Sequence, residues 1–272
     1  FKKKYPFFST NITYKKNLTN LGMGKNWKQC IEIAQGDYIL ILSDDDLLNE
    51  NAIKNLIFPF KNKKGISLSI GCAQITNISG SKTKNIYEDS IFSGEKYIEN
   101  VLRGKNIYYA SATLMPKETA LLLGGFDIKK YQHAFDVALS NKLAMHGNVS
   151  LTKEIVVEYF EHQDGSTHNL PFVKIINDTK NLNNEMLNLF SKNESYSNLK
   201  PLSNKFILRR TSSLISKYGT FQKRINIFKI YHYVKDLEGL FIISYMTIYC
   251  LLPNAIRRQI KNMQLLSKIK KM

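Results

Sequence analysis

The spacing of apolar residues changes repeatedly along this chain, and each change predicts an element. In "KNWKQCIEIAQG" (25–36) the residues Trp27, Cys30, Ile31 and Ala34 recur at i, i+3, i+4 and i+7, one face of a helix of about three turns. Gly36 stands where a helix C-cap glycine belongs. Before it, "NITYKKN" (11–17) has the β-branched and aromatic content of a short strand, followed by turn glycines at Gly22 and Gly24. After it, "YILIL" (38–42) is apolar without alternation, which predicts a strand covered on both faces in a parallel sheet. Strand, helix and strand in this order make a βαβ unit.

The alternation continues downstream. Helices are expected at roughly 49–60, 94–104 and Phe135 to His146, the last on the stripe Phe135, Leu139 and Leu143. A short helix in "KETALLLGGFD" ends on two glycines, and strands are expected at 65–78, 107–116 and, as one or two pieces, 149–162. After about residue 170 the strand signal stops. "VKIINDTKNLNNEMLNLFSK" and the segments near 203–218, 221–236 and 254–268 have helical periodicity. The pattern therefore predicts an α/β domain over 1–170, with a mostly parallel sheet flanked by helices, and an α-helical C-terminal region over 171–272.

Composition supports a folded chain: 272 residues, 43% apolar and 11% aromatic, suffice for one large domain or two small ones. The formal charge of +17 suggests an anionic partner. Its distribution matters more than its size. From Lys200 onward there are 15 Lys and Arg against Asp236 and Glu238, a net +13, so residues 1–199 carry only +4. Cys30, Cys72 and Cys250 are odd in number and far apart, with no CxxC spacing, which argues against a disulfide framework or zinc site and for reduced, mostly buried thiols.

Against this background, "SDDD" places Asp44, Asp45 and Asp46 directly behind the strand at 38–42. Ligands of open α/β sheets bind beyond the carboxyl ends of parallel strands. Three adjacent carboxylates repel one another unless something positive holds them, and a hard divalent cation takes a few carboxylates plus phosphate oxygens. Two readings are open here: a metal that clamps a diphosphate, or an N-cap in which Ser43 or an Asp starts the next helix and the dipole favours the other acids.

The ordered run from Asn17 to Ile53 resembles the nucleotide-sugar half of family 2 glycosyltransferases of the GT-A, Rossmann-like fold. Its N-x-G turn, basic residue followed by Asn, helix ending in A-x-G, apolar strand and DxD-type cluster correspond to Asn20 and Gly22, Lys25 and Asn26, Ala34 and Gly36, residues 38–42 and the triple Asp. "LLLGGFDIKKYQHAFDVALSNKLAMHG" is similar to the acceptor-side signature, with Asp136 on the second acid of the usual Glu-Asp pair and Phe135 in place of Glu. "EYFEHQDGSTH" resembles the segment that closes over the diphosphate, with His162 as a metal or phosphate contact. The likeness spans roughly 11–170 and implies that the first βαβ portion, which reads the nucleotide base, precedes Phe1.

The resemblance implies an inverting, metal-dependent transfer of a sugar from a nucleoside-diphosphate sugar to an acceptor hydroxyl, in surface polysaccharide or glycolipid synthesis. It implies Mg²⁺ or Mn²⁺ as cofactor, held by Asp45 at the second acid of the motif and by His162. Asn20, Lys25, Asn26, Asp44 and Asp46 fall on the donor side, and Asp136 is the general base. Blander roles stand beside these: His162 as a satisfied strand-end residue, Lys25 as an exposed helix-start lysine, and Asp136 as a helix N-terminal acid worth roughly 0.3–1 kcal/mol.

The basic tail adds a location. "LFIISYMTIYCLL" (240–252) is continuously apolar before Pro253, yet a bilayer span takes about 20 residues. An interfacial helix on an anionic membrane surface, flanked by Lys and Arg across 200–272, competes with a core helix whose neighbours are merely solvated. The expected partners are the nucleotide-sugar donor and a saccharide or lipid-linked acceptor, at a cytoplasmic site that is peripheral on the inner face of the cell membrane. A nonspecific nucleic-acid binder is the rival class, but the chain has no RNP, zinc-finger or helix-turn-helix signature and no specific nucleic acid is expected. An inactive GT-A-like scaffold is a third.

Overall fold

A computed structural model describes residues 12–80, 82–105, 108–162 and 171–190, together with Leu199, Leu202, Ser203, Phe206, Ile207, Arg209 and Arg210. The first helix, α1 (Met23–Ile33), leads to β1 (Tyr38–Leu40) and, past the acidic cluster, to β2 (Leu47–Leu48) and α2 (Ala52–Asn62). Then come β3 (Ile66–Thr76), β4 (Lys82–Lys84), β5 (Ser90–Ser93) and α3 (Gly94–Leu102). A 3₁₀ turn (Ala110–Ala112) opens β6 (Thr113–Pro116), followed by α4 (Lys117–Leu122), α5 (Phe135–Met145), β7 (Asn148–Phe160) and α6 (Phe172–Leu189).

The strands form one sheet in the order β1-β6-β3-β7-β2, with β4 on β3 and β5 on β7. Its centre is the long parallel pair β3 and β7, in register from Ile66 opposite Asn148 to Thr76 opposite Phe160. Every other pairing among the described residues is antiparallel, so the sheet is mixed rather than mostly parallel. Strand–helix alternation suggested parallel crossovers, but β2, β4 and β5 are too short to show a period and return as antiparallel edges. The α/β class with flanking helices holds.

Two apolar clusters cover the two sheet faces. One joins Leu68, Ile70, Val149 and Leu151 to α1, α3, α4, α5 and α6; the other joins Ala73, Leu114, Val156 and Val157 to Ala52 and Leu56 of α2. Thus β7 serves one core at its start and the other near its end. Two of the three register shifts against β3 fall between, where a change in pleat moves its side chains across the sheet. Close approach is built into two glycines: a Cβ on Gly71 would lie 2.5 Å from Val156 Cγ2, and one on Gly94 1.8 Å from the Ala144 carbonyl oxygen.

Several local expectations change. Residues 12–17 form no strand, since a strand is sustained by a ladder partner and none pairs with them among the described residues. The strand expected at 38–42 ends at Leu40 and leaves Leu42 exposed, because the chain must turn away to build the acidic loop. α1 ends through an extended Ala34 rather than at Gly36, which has no positive φ. Cys30 is exposed on α1, while Cys72 is buried.

Helix α6 starts close to the change of pattern at 170, and its Leu182 and Met186, with Phe190, Leu199, Phe206 and Ile207 beyond, enter the same core as β3 and α5. Most of 203–218 lies outside the described residues, as do the helices expected at 221–236 and 254–268, the apolar run 240–252 and Cys250. Among the described residues, no helix is long and apolar enough to cross a membrane.

Candidate active site

The acidic cluster is a turn, not a helix start. Asp46 N–H donates to the Ser43 carbonyl at 3.3 Å, β2 follows at once, and α2 begins only at Ala52 behind Asn51. Neither Ser43 nor any of the three Asp residues caps α2, so the N-cap reading falls.

The three carboxylates then separate by environment. Asp46 is 4% exposed. Its Oδ2 accepts from Ser111 Oγ at 2.5 Å, and its Oδ1 accepts from Phe160 N–H at 3.3 Å. Burial raises its pKa against the lowering effect of these two hydrogen bonds, and the charges of Asp45 and Asp44 push the same way. One buried carboxylate thus ties the turn to the 3₁₀ segment before β6 and to the end of β7. Asp44 and Asp45 remain exposed.

Asp45 is aimed by that anchorage. Its Oδ2 lies 2.6 Å from Nε2 of His162, which follows the end of β7. The side chains keep 37% and 44% of their surface, so the pair is open to a ligand. Sequence separates them by 117 positions, and the antiparallel pairing of β2 with β7, Leu47 opposite Glu158, brings them together. The neighbouring residues 163–168 lie outside the described residues.

On the other side, α1 begins at an open polar cleft of about 500 Å³ lined by Asn17, Thr19, Asn20, Gly22 and Asn26. Asn20 Oδ1 accepts from Gly22 N–H at 2.8 Å, which closes an Asx turn, and Asn17 donates to Asn26 Oδ1 at 2.9 Å. Lys25 is exposed on the first turn. Trp27 packs edge-on against Phe135, with ring centroids 5.7 Å apart, so the helix that frames this cleft touches the first residue of α5.

The next residue is Asp136, half-buried in the first turn of α5. Desolvation pushes its carboxyl up to about 6, against the lowering effects of the Val137 amide and the Arg210 charge. Tyr108 also faces Asp136, and its burial raises the phenol well above its usual range. Tyr108 Oη and Arg210 Nε are buried with no hydrogen-bond partner among the described residues. Such a carboxyl, poised near neutrality beside unspent donors, suits proton abstraction.

The loop before α5 is held from α6. Asp178, 5% exposed, accepts through Oδ2 from the backbone N–H of His133 at 2.7 Å and Ala134 at 3.0 Å, and through Oδ1 from Gln132 at 3.1 Å. Asn181 donates to the Lys130 carbonyl at 3.0 Å, and Glu185 accepts from Tyr131 Oη at 2.7 Å. Sequence spacing gave no sign of Ser111, Asp178 or Arg210; the i, i+3, i+7 set of Asp178, Asn181 and Glu185 had the look of a solvated helix face.

Asp45 and His162 are both donor types that could hold a divalent cation. Among the described residues no cluster of three or more His, Cys, Asp or Glu could hold a metal. Mg²⁺ is commonly held by one or two protein ligands with substrate phosphates and water completing the shell.

Among curated proteins none matches this chain. Residues 2–118 match the family model described as glycosyl transferase family 2, a span that includes the α1 cleft, the three Asp residues and Ser111 but stops before Asp136 and His162.

Proposed function

We propose that the chain, whose residues 2–118 match the glycosyl transferase family 2 model and whose described residues have an α/β, GT-A-like fold, moves a sugar from a nucleoside-diphosphate sugar to an acceptor hydroxyl with inversion. The 2.6 Å approach of Asp45 to His162 carries this reading, because it gathers two exposed metal-type donors, one in the turn between β1 and β2 and the other just past the end of β7. Asn20, Asn26, Lys25 and Asp44 frame the donor side, and Asp46 orders the turn that presents Asp45.

Asp45 and His162 would hold Mg²⁺ or Mn²⁺, which when bound supplies Lewis-acid neutralisation of the departing diphosphate. The protein's own residues do the rest. Asp136 accepts the acceptor hydroxyl proton on a carboxylate oxygen while that hydroxyl oxygen attacks the anomeric carbon from the face opposite the diphosphate. The anomeric C–O bond breaks as the new one forms, and its electrons leave with the diphosphate. Ionised Asp136 is the reactive form, and its raised pKa strengthens it as a base without protonating it at neutral pH. The basic segment 200–272 suggests an acceptor in surface polysaccharide or glycolipid synthesis, met at a cytoplasmic membrane face, with the chain peripheral to anionic lipid.

A donor screen with Mg²⁺ or Mn²⁺, scoring released nucleoside diphosphate and transferred sugar, tests the reading. Turnover that is lost in Asp45→Asn and, for transfer, in Asp136→Asn supports it. Absence of turnover with every sugar nucleotide, or full activity in both variants, overturns it.

A further inference from the structure

We propose that Asp178 on α6 is a positioning residue for Asp136, so that the helical region beyond the family-matched segment sets the geometry of proton abstraction. The inference rests on the function proposed above. Its physical basis is the three-fold cap: one buried carboxylate collects consecutive N–H groups of Gln132, His133 and Ala134, immediately before the helix whose second residue is Asp136. No side chain of the loop caps α5 at Ala134. Asp178 instead holds, from another element, the three N–H groups that lead into the helix.

Two further contacts make the cap a rigid brace. Asn181 and Glu185, one and two turns along the same face of α6, grip the Lys130 carbonyl and the Tyr131 hydroxyl. Residues 130–134 are therefore fixed at five points, and Asp136 inherits their register. A displacement of about 1 Å at such a group costs on the order of 100-fold in rate.

Charge adds a distinguishing signature. The groups acting on Asp136 are Asp178, which raises its pKa, and Arg210, which lowers it, with Tyr108 packed against it; His133 answers to Arg210 and Asp178 in turn. Removing Asp178's charge shifts the acid limb of transfer to lower pH. Removing Arg210's charge shifts it to higher pH.

The test uses the full chain and compares Asp178→Asn, Asp178→Ala and Arg210→Gln by three readouts. The expected result for Asp178→Ala is transfer kcat lowered on the order of 100-fold, with donor KM and acceptor-free donor hydrolysis unchanged. Asp178→Asn, which keeps one acceptor oxygen, falls less and moves the acid limb downward. Independently of activity, amide hydrogen exchange in Asp178→Ala accelerates at 132–136 while β3 and β7 stay protected. Unchanged exchange at 132–136 overturns the proposal, as does wild-type transfer or a parallel fall of transfer and hydrolysis. If the wild type turns over no donor but exchange at 132–136 still responds, the brace stands as structure and the catalytic role is overturned together with the reading it rests on.

Discussion

Asp136 couples function to stability in opposite senses. Its folded-state pKa, about 6, lies above the ordinary 3.8, so the folded chain binds this proton more tightly than the unfolded chain does. The associated stability is full below about pH 4 and is lost as pH rises through about 6. Asp136→Asn should therefore raise the melting temperature at neutral pH, by a stabilisation on the order of 1 kcal/mol, while abolishing transfer. A lower melting temperature would show that the carboxylate is not destabilised by its site. In the wild type, kcat/KM for transfer should fall about tenfold per pH unit below 6, and a flat profile down to pH 5 would remove Asp136 from the role of base. At Asp45 the expectation differs: His162→Ala should weaken Mn²⁺ affinity, read by titration in the presence of nucleoside diphosphate, with little change in melting temperature because both side chains are solvent-facing. At this scale the sequence located the acids, and only the family resemblance set Asp45 apart from Asp44 and Asp46. Burial decides that Asp46 turns inward to Ser111 and Asp45 outward to His162, and both partners are distant in the chain.

At the scale of elements, legibility followed length. Helices α1, α5 and α6 and strand β3 lie close to where apolar spacing puts them, since each contributes apolar residues to the same core. The strand at 12–17 failed because composition makes a segment eligible for pairing without providing a neighbour. Strands β2, β4 and β5 escaped notice because two to four residues carry no period. Close-packed glycines are equally invisible in the sequence. Gly94→Ala is expected to destabilise by about 3 kcal/mol or more, since its Cβ would meet the backbone of α5 at Ala144 rather than a movable side chain. Chemical denaturation should show the loss, and an unchanged midpoint would mean that α3 can shift away from α5 without cost.

For the whole molecule, the change of composition at 170 does not coincide with the edge of a core. Leu182, Met186 and Phe190 pack into the cluster that also holds β3, α3 and α5. A chain ended at 170 should lose this apolar cover together with the Asp178 cap and fail to unfold cooperatively in a thermal melt; a sharp transition like that of the full chain would show that the α/β part folds alone. The pairing of Asp45 with His162, and of Asp46 with the Phe160 amide, also has a temporal side. Contacts spanning 117 and 114 positions close large loops and form late for entropic reasons. During synthesis the triple Asp emerges long before its partners, and no nascent chain that ends before His162 can assemble the pair. On the proposed reading, the metal-holding pair therefore arrives only with the completed sheet, because no folding intermediate that lacks β7 can bring His162 to Asp45.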